Sequence, residues 1–328
     1  MILSPIRSHA ESVLYAIDNQ QSFLSVVNPL TGAEESFIGI SLANETIRNR
    51  TGLAVSPVTN EMYAAVKLAS QAGPGRNLIK IDPETGVATN IGNMGQPIAS
   101  LAFDGNGVLY AVSGDCLFGC GGAAIAETLF TVNTNNAVLT MVQTLGNGND
   151  GEAIAFNPTD GMMYHMSGIG GEDLIFEKIN LGNGVVTPIP LSGGAVTDLE
   201  AIGFTFDPGQ NLFVGSLIDC DCGGSQRSFI SLSSDGFVTH VNPLAFWWKD
   251  YAIYEVSNAV DLGQIDDFED GTTEGWRKGV QSTNPPSNIN TGGPSGANDN
   301  YLQTVSTGGV GADSKQVIMA ALELLLSD

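Results

Sequence analysis

Short apolar runs separated by turn-forming residues fill the first three quarters of the chain. Within them an apolar residue followed by an aromatic one recurs about every fifty residues, with the aromatic at Tyr15, Tyr63, Tyr110, Tyr164 and Phe213. After the first, each such pair follows an apolar run that ends in a turn, such as LAFDG at 101–105. Strand, turn and strand is the structure that this pattern predicts.

The second half of each repeat predicts two more strands. The run LIKI at 78–81 is followed by the turn DPETG at 82–86, and VVNPLTG at 26–32 repeats that arrangement. Proline presets φ in such a turn and glycine supplies a positive φ, so the chain reverses into a fourth strand at 87–91. Four antiparallel strands in a repeat of about fifty residues form one blade of a β-propeller.

The two ends of the repeat array complete each other. Residues 13–17 form a second strand with no first strand before it, and residues 251–256 form a first strand with no second strand after it. We expect these segments to pair, because such pairing closes the ring and removes open sheet edges. The sequence therefore predicts an all-β chain whose residues 11–258 form a five-bladed propeller of four-stranded blades, closed by N- and C-terminal strands of one blade.

Three phrases carry a family resemblance. LYAID at 14–18, IDPETGVATNIG at 81–92 and LAFDGNGVLYAV at 101–112 resemble the repeats of exported bacterial β-propeller proteins of largely unknown function. The resemblance covers residues 11–256 and implies the blade. It implies no activity, since these residues make strands and turns.

Charge and composition limit the partners and the cellular location that this chain can have. The 35 acidic residues outnumber the 12 basic ones, the net charge is −23, and no run of Lys or Arg offsets it, which excludes a nucleic-acid partner. No apolar stretch is long enough to span a membrane. The start of the chain lacks the basic and apolar regions of a signal peptide. The 41 glycines and paired cysteines favour an extracellular or cell-surface protein whose signal peptide has been removed.

A change of composition after residue 258 predicts a domain boundary. DDFEDGTTEGW at 266–276 and GGPSGANDNYLQTVSTGG at 292–309 look like the opening strands of jelly-roll, carbohydrate-binding-like modules. Too few residues remain to pack two sheets, so residues 259–328 are interpreted as a linker plus a truncated jelly-roll-like, β-rich extension. A disordered segment and a natural end with a small leucine-rich helix at 319–328 are the alternatives.

Acidic residues precede three of the predicted inner strands. Asp150 and Glu152 precede one, Asp198 and Glu200 the next, and Asp250 the closing one. The loops that enter the inner strands lie on one face of a propeller, around the mouth of its central channel. These carboxylates are therefore candidate ligand-binding residues, as a calcium ligand set or as the acid and base of a glycoside hydrolase. Acidic residues that cap strand ends at a solvated rim are the simpler alternative.

The four cysteines stand in two close pairs, in loops expected on the same face. Local disulfides, Cys116 with Cys120 and Cys220 with Cys222, fit an exported protein, although only one residue separates the second pair. A zinc site and free thiols are the alternatives, and the three scattered histidines give zinc little support. No metal site is assigned.

These features favour a non-catalytic exported or cell-surface propeller that binds a glycan or calcium at its channel mouth. A small molecule or a surface protein is another candidate partner, and calcium is the one candidate cofactor. The rivals are a glycosidase- or esterase-like hydrolase using Glu152, Glu200 and Asp250, and a structural or assembly protein. The run FWW at 246–248 is either a sugar-stacking platform or a buried contact between blades.

Overall fold

The described residues form strands and turns only, as the alternating pattern predicts. The structure is a computed structural model. It describes residues 11–19, 21–73, 75–114, 127–145, 153–168, 174–194, 199–219, 227–256, 271, 273, 285–292 and 300–303. Over these ranges the chain contains no helix with the length and apolar character of a membrane span.

Five separate sheets account for the first 22 strands, and each sheet is one blade. Blade 1 contains the first three strands and the last, blade 2 the next five, blade 3 four, blade 4 four and blade 5 five. In chain order these strands are β1 (Glu11–Asp18), β2 (Phe23–Val27), β3 (Glu34–Gly39), β4 (Ser41–Leu42), β5 (Ile47–Val55), β6 (Met62–Leu68), β7 (Asn77–Ile81), β8 (Val87–Asn93), β9 (Ile98–Phe103), β10 (Leu109–Ser113), β11 (Thr128–Val132), β12 (Leu139–Thr144), β13 (Ala153–Asn157), β14 (Met162–Ser167), β15 (Ile175–Ile179), β16 (Val186–Pro188), β17 (Ser192–Gly193), β18 (Leu199–Asp207), β19 (Leu212–Asp219), β20 (Arg227–Leu232), β21 (Phe237–Leu244) and β22 (Trp248–Val256).

Each blade runs outward from an inner strand. The inner strands are β22, β5, β9, β13 and β18, and consecutive members of the series β5, β9, β13 and β18 pack against one another. Blades 2 and 5 carry a fifth strand, because β4 and β17 pair in parallel with the outer strands β8 and β21. The outermost strands of blades 1, 3 and 4 are β3, β12 and β16.

The predicted closure of the ring is confirmed. Strand β22 is hydrogen-bonded to β1, and β1 continues into an antiparallel pair with β2 in which Leu14 lies opposite Val27. Because β22 and β1 complete one sheet, neither strand is left as an open edge where another chain could pair. The five-bladed all-β fold is therefore as predicted, except that the closing strand begins at Trp248 rather than at residue 251.

The turn between the third and fourth strands joins neighbouring blades. In blade 2 the carboxylate of Asp82 accepts a hydrogen bond from the Glu84 N–H at 2.9 Å, and Gly86 adopts a φ of 71°. A side chain on Gly86 would clash with the backbone oxygen of Gly39 in blade 1. The Gly86 carbonyl accepts a hydrogen bond from the Ser41 N–H at 2.9 Å. Glycine is required here both for its φ and for this close approach.

Aromatic residues from the repeat pack between blades. Tyr164 of blade 4 lies 4.7 Å from Phe213 of blade 5, measured between ring centroids, and both are buried. Trp248 and Tyr251 of blade 1 fill the equivalent space against Phe229 of blade 5. The recurring aromatic position of the sequence therefore contributes to the core between blades.

The chain divides into two compact units, residues 12–255 and residues 1–11 with 256–328. In the second unit the structure describes one antiparallel hairpin of β23 (Ser287–Ile289) and β24 (Tyr301–Gln303). Most of residues 259–328 lie outside the described ranges. The domain boundary at 258 and the truncated jelly-roll-like extension stay predictions.

Candidate functional site

All five inner strands begin at the same face of the ring, which we call the entrance face. Because neighbouring strands in a blade are antiparallel, the second strand of each blade also ends there and the third begins there. The described strand ends next to the predicted acidic residues and cysteines therefore lie at the entrance face.

The sequence predicted that Asp250 precedes the closing strand, and this prediction is wrong. Strand β22 begins two residues earlier, and the Asp250 side chain is fully buried within it. Both carboxylate oxygens accept hydrogen bonds. The donors to Oδ2 are Leu53 N (3.0 Å), Ser100 Oγ (2.9 Å) and Leu101 N (3.3 Å), and the donor to Oδ1 is Tyr251 N (3.0 Å).

These hydrogen bonds join the inner strands across the ring axis. Asp250 lies on β22, and its donors include residues of β5 and β9. Ser100 extends the network to β13, because its hydroxyl accepts the Ile154 N–H at 3.2 Å. Strand β18 approaches β22 so closely that any side chain on Gly203 would clash with the Lys249 carbonyl. One carboxylate thus ties three inner strands together directly and a fourth through Ser100.

The environment of Asp250 disfavours its charged form. Burial raises the pKa of this carboxyl well above its ordinary value, and the four donors oppose the shift without cancelling it. Its oxygens are occupied by the protein itself, so the structure assigns Asp250 a role in holding the ring. As a ligand contact it stays a prediction.

Glu200 lies near the start of β18, within the strand and not before it. Its Oε1 lies 3.9 Å from Lys249 Nζ, and the two side chains are 20% and 21% exposed. Lys249 Nζ is 5.9 Å from the centre of the Trp247 ring, and Arg227 Cζ is 4.4 Å from the same ring. The entrance face therefore presents a carboxylate, an ammonium group and a half-buried indole at the axis.

The aromatic run at 246–248 is divided between two environments. Trp248 is 1% exposed, stacks on Phe246 at 5.4 Å and packs against Tyr251. This is the buried blade contact that the sequence allowed as an alternative. Trp247 is half-buried, and its backbone N–H donates to the Asp18 carboxylate at 2.9 Å. Of the two tryptophans, Trp247 is the one that a ligand can approach.

Several predicted site residues lie outside the described residues. They are Asp150, Glu152, Asp198 and the four cysteines Cys116, Cys120, Cys220 and Cys222. Their roles in ligand binding and in disulfides stay predictions. Within the ranges that the structure does describe, no group of three or more His, Cys, Asp or Glu side chains is arranged to hold a metal ion.

A buried cluster of ionisable side chains between blades 3 and 4 was not predicted. His165 is fully buried, with Nδ1 3.0 Å from Glu177 Oε1 and Nε2 3.7 Å from Glu127 Oε2. Ser167 donates a hydrogen bond to the other oxygen of Glu127 at 2.8 Å. The sequence signal was weak, because Glu127 belongs to a different blade from His165 and Glu177, which stand in otherwise ordinary strand segments.

Comparisons with known proteins place the chain in no family. No family model matches it, and no curated protein matches it. Among solved structures it is similar to a chain in the nidogen/laminin complex, with a TM-score of 0.47, 10% identity, and coverage of 75% of this chain and 99% of that one. It is also similar to a putative TolB from Agrobacterium tumefaciens, with a TM-score of 0.46, 12% identity, and coverage of 75% and 98%. At these scores neither likeness carries an argument about function.

Proposed function

We propose that this protein is a non-catalytic binding propeller that holds a glycan at its entrance face. The observation that carries the proposal is the group formed by Glu200, Lys249 and Trp247 at the ring axis, where both charged side chains are partly exposed. Location outside the cell or on its surface belongs to the same proposal, and the acidic, glycine-rich composition supports it.

The chemistry of this group suits a polyhydroxylated ligand. Sugar hydroxyls both donate and accept hydrogen bonds, so a carboxylate beside an ammonium group offers them an acceptor and a donor. The Trp247 ring carries the Arg227 guanidinium over it at 4.4 Å, and such a cation–π pair places a second cation beside the Glu200–Lys249 pair. The hydrogen bonds of Asp250 join β22, the strand of Lys249, to β5 and β9, so Lys249 is held in place before any ligand arrives, which lowers the entropy cost of binding.

Hydrolysis receives less support from the same geometry. A glycosidase needs two carboxyl groups flanking the scissile bond, about 5 to 10 Å apart. Of the three carboxylates in the rival hypothesis, Asp250 is fully buried and accepts four hydrogen bonds from the protein. Because these donors already occupy its oxygens, Asp250 is poorly suited to be one of the two carboxyl groups.

A thermal-shift titration with a glycan panel tests the proposal, with calcium and EDTA as separate arms. A glycan present at 100 times its Kd should stabilise the wild-type protein by about 2.7 kcal/mol. Glu200→Gln and Lys249→Met should abolish that shift. The matched control is the Glu61–Lys80 pair, an exposed ion pair of the same residue types at 3.1 Å on the opposite face, whose Glu61→Gln variant should retain it.

Three outcomes oppose the proposal. The first is a melting temperature indifferent to every glycan. The second is an equal glycan response in the Glu200→Gln and Glu61→Gln variants. The third is stabilisation by calcium alone, reversed by EDTA, which would make calcium the ligand and return the site to the carboxylate set predicted from the sequence.

A further inference from the structure

Two cations lie at the entrance face of blade 2, Lys67 near the end of β6 and Arg76 in the loop between β6 and β7. Its last residue, Arg76, is fixed by backbone hydrogen bonds to the loop that enters blade 3. The Arg76 N–H donates to the Gln96 carbonyl at 3.0 Å, and the Arg76 carbonyl accepts the Met94 N–H at 2.8 Å. The start of the Arg76 side chain is therefore held in place between two blades.

The guanidinium of Arg76 is a half-buried cation for which the described residues supply no partner. Its Nε is buried and makes no hydrogen bond, and no described carboxylate forms an ion pair with it, in a chain with 35 acidic residues. Burial lowers the pKa of Arg76. Buried polar groups in proteins are nearly always hydrogen-bonded, and an exception commonly marks a bound water or ion.

Arg50 in the same blade shows how this protein treats a structural arginine. Its guanidinium is fully buried and makes four hydrogen bonds. The acceptors are Asp18 O (2.7 Å), Ser22 Oγ (3.1 Å), Ile47 O (3.2 Å) and Asn19 O (3.0 Å). The contrast shows that the chain can satisfy a buried guanidinium where the role is structural. Arg76 differs, because its guanidinium makes no hydrogen bond with the described residues.

Lys67 lies beside Arg76 and adds a second positive charge. Its ammonium group donates to the Gly73 carbonyl and lies 3.5 Å from the Gly75 carbonyl, and Gly75 directly precedes Arg76. Burial and the Arg76 charge both lower the pKa of Lys67. Gln71 donates to the same Gly75 carbonyl at 2.5 Å, while its Oε1 is buried without a partner. Two like charges held together in this way repel each other unless an anion joins them.

We propose that Arg76 and Lys67 form a binding site for an oxyanion, the carboxylate, sulfate or phosphate group of a ligand that approaches the entrance face. A guanidinium offers a planar fork of donors that matches such a group, and an ammonium group adds a point charge. The site lies on blade 2 and uses none of the entrance residues Glu200, Lys249 and Trp247. It therefore stands whether or not a glycan binds there.

The test is a titration of the intact ¹⁵N-labelled protein with sodium phosphate, sulfate and galacturonate, at constant ionic strength set with NaCl. The Arg76 Nε–H signal, assigned by its loss in Arg76→Gln, should shift and saturate with at least one anion. Calorimetry should show affinity at least about tenfold weaker in Arg76→Gln, the loss expected for hydrogen bonds to a charged group. Lys67→Gln should weaken binding severalfold, whereas Lys80→Gln, a lysine of the same blade near the opposite face, should not.

Arg76→Gln is expected to fold, since the guanidinium makes no hydrogen bond with the described residues, and its melting temperature without anion checks this. Preference for one anion would identify the ligand group as carboxylate, sulfate or phosphate. The proposal is overturned if the Arg76 signal shows no saturable shift with any of the three anions. It is equally overturned if Lys80→Gln weakens binding as much as Lys67→Gln, because the effect would then be general charge screening.

Discussion

Replacing Asp250 with alanine removes the acceptor that joins the inner strands. Three donors on Oδ2 lose their partner, from Leu53, Ser100 and Leu101, and all three lie in the buried centre of the ring. Each buried donor left unsatisfied costs about 1 to 3 kcal/mol, and removal of the desolvated carboxylate recovers part of that loss. We expect Asp250→Ala to lower the free energy of unfolding by about 3 to 5 kcal/mol, measured by urea titration.

The pH dependence provides a sharper test of the same residue. Because burial raises the pKa of Asp250 in the folded state, the folded protein binds the proton more tightly than the unfolded chain does. The contribution of Asp250 to stability is therefore fully present below the unfolded pKa of about 4 and declines as pH rises towards the folded pKa, by at most about 1.4 kcal/mol per pH unit.

Asp250→Asn removes that titration while keeping one acceptor oxygen. The difference in unfolding free energy, wild type minus Asp250→Asn, should fall as pH rises above about 4. Glu61→Gln is the control, because hydrogen bonds from Tyr63 and Lys80 lower the pKa of Glu61 and the corresponding difference should be small and run the other way. A difference for Asp250 that stays constant or grows with pH would refute the reasoning, as would an alanine variant that loses less than about 1 kcal/mol.

Two further substitutions test the blade contacts by urea titration. Gly86→Ala should cost about 3 kcal/mol, because it combines a positive φ with a clash against Gly39, whereas Gly161→Ala, with a φ of 73° and open space around it, should cost about 1 kcal/mol. An equal loss of unfolding free energy in the two alanine variants would show that the clash with Gly39 is relieved. His165→Leu removes the imidazole between two buried glutamates and should cost about 3 kcal/mol at pH 7, and a loss below about 1 kcal/mol would contradict a structural role for this cluster.

The sequence determined the architecture because the blade is a local structure. Apolar and polar alternation, the recurring aromatic and the Pro–Gly turns all act within about fifty residues, so one chain read in order predicts strands, turns and their count. Ring closure was also predictable from the sequence, since residues 13–17 lack a first strand and residues 251–256 lack a second strand, and the two segments share one sheet. The glycine at 86 was likewise predictable from its turn, although its contact with Gly39 was not.

The tertiary structure alone decided which charged residues are buried and what they face. Nothing in the local sequence places a strand start at Trp248, so Asp250 was assigned to a loop. The three donors to its Oδ2 lie about 150 to 200 residues away in the chain. Arg76 ends a glycine-rich loop, and only the tertiary structure shows its backbone hydrogen bonds to Met94 and Gln96, in the loop between β8 and β9. Burial and charge pairing depend on which blades meet, and local sequence pattern carries no information about that.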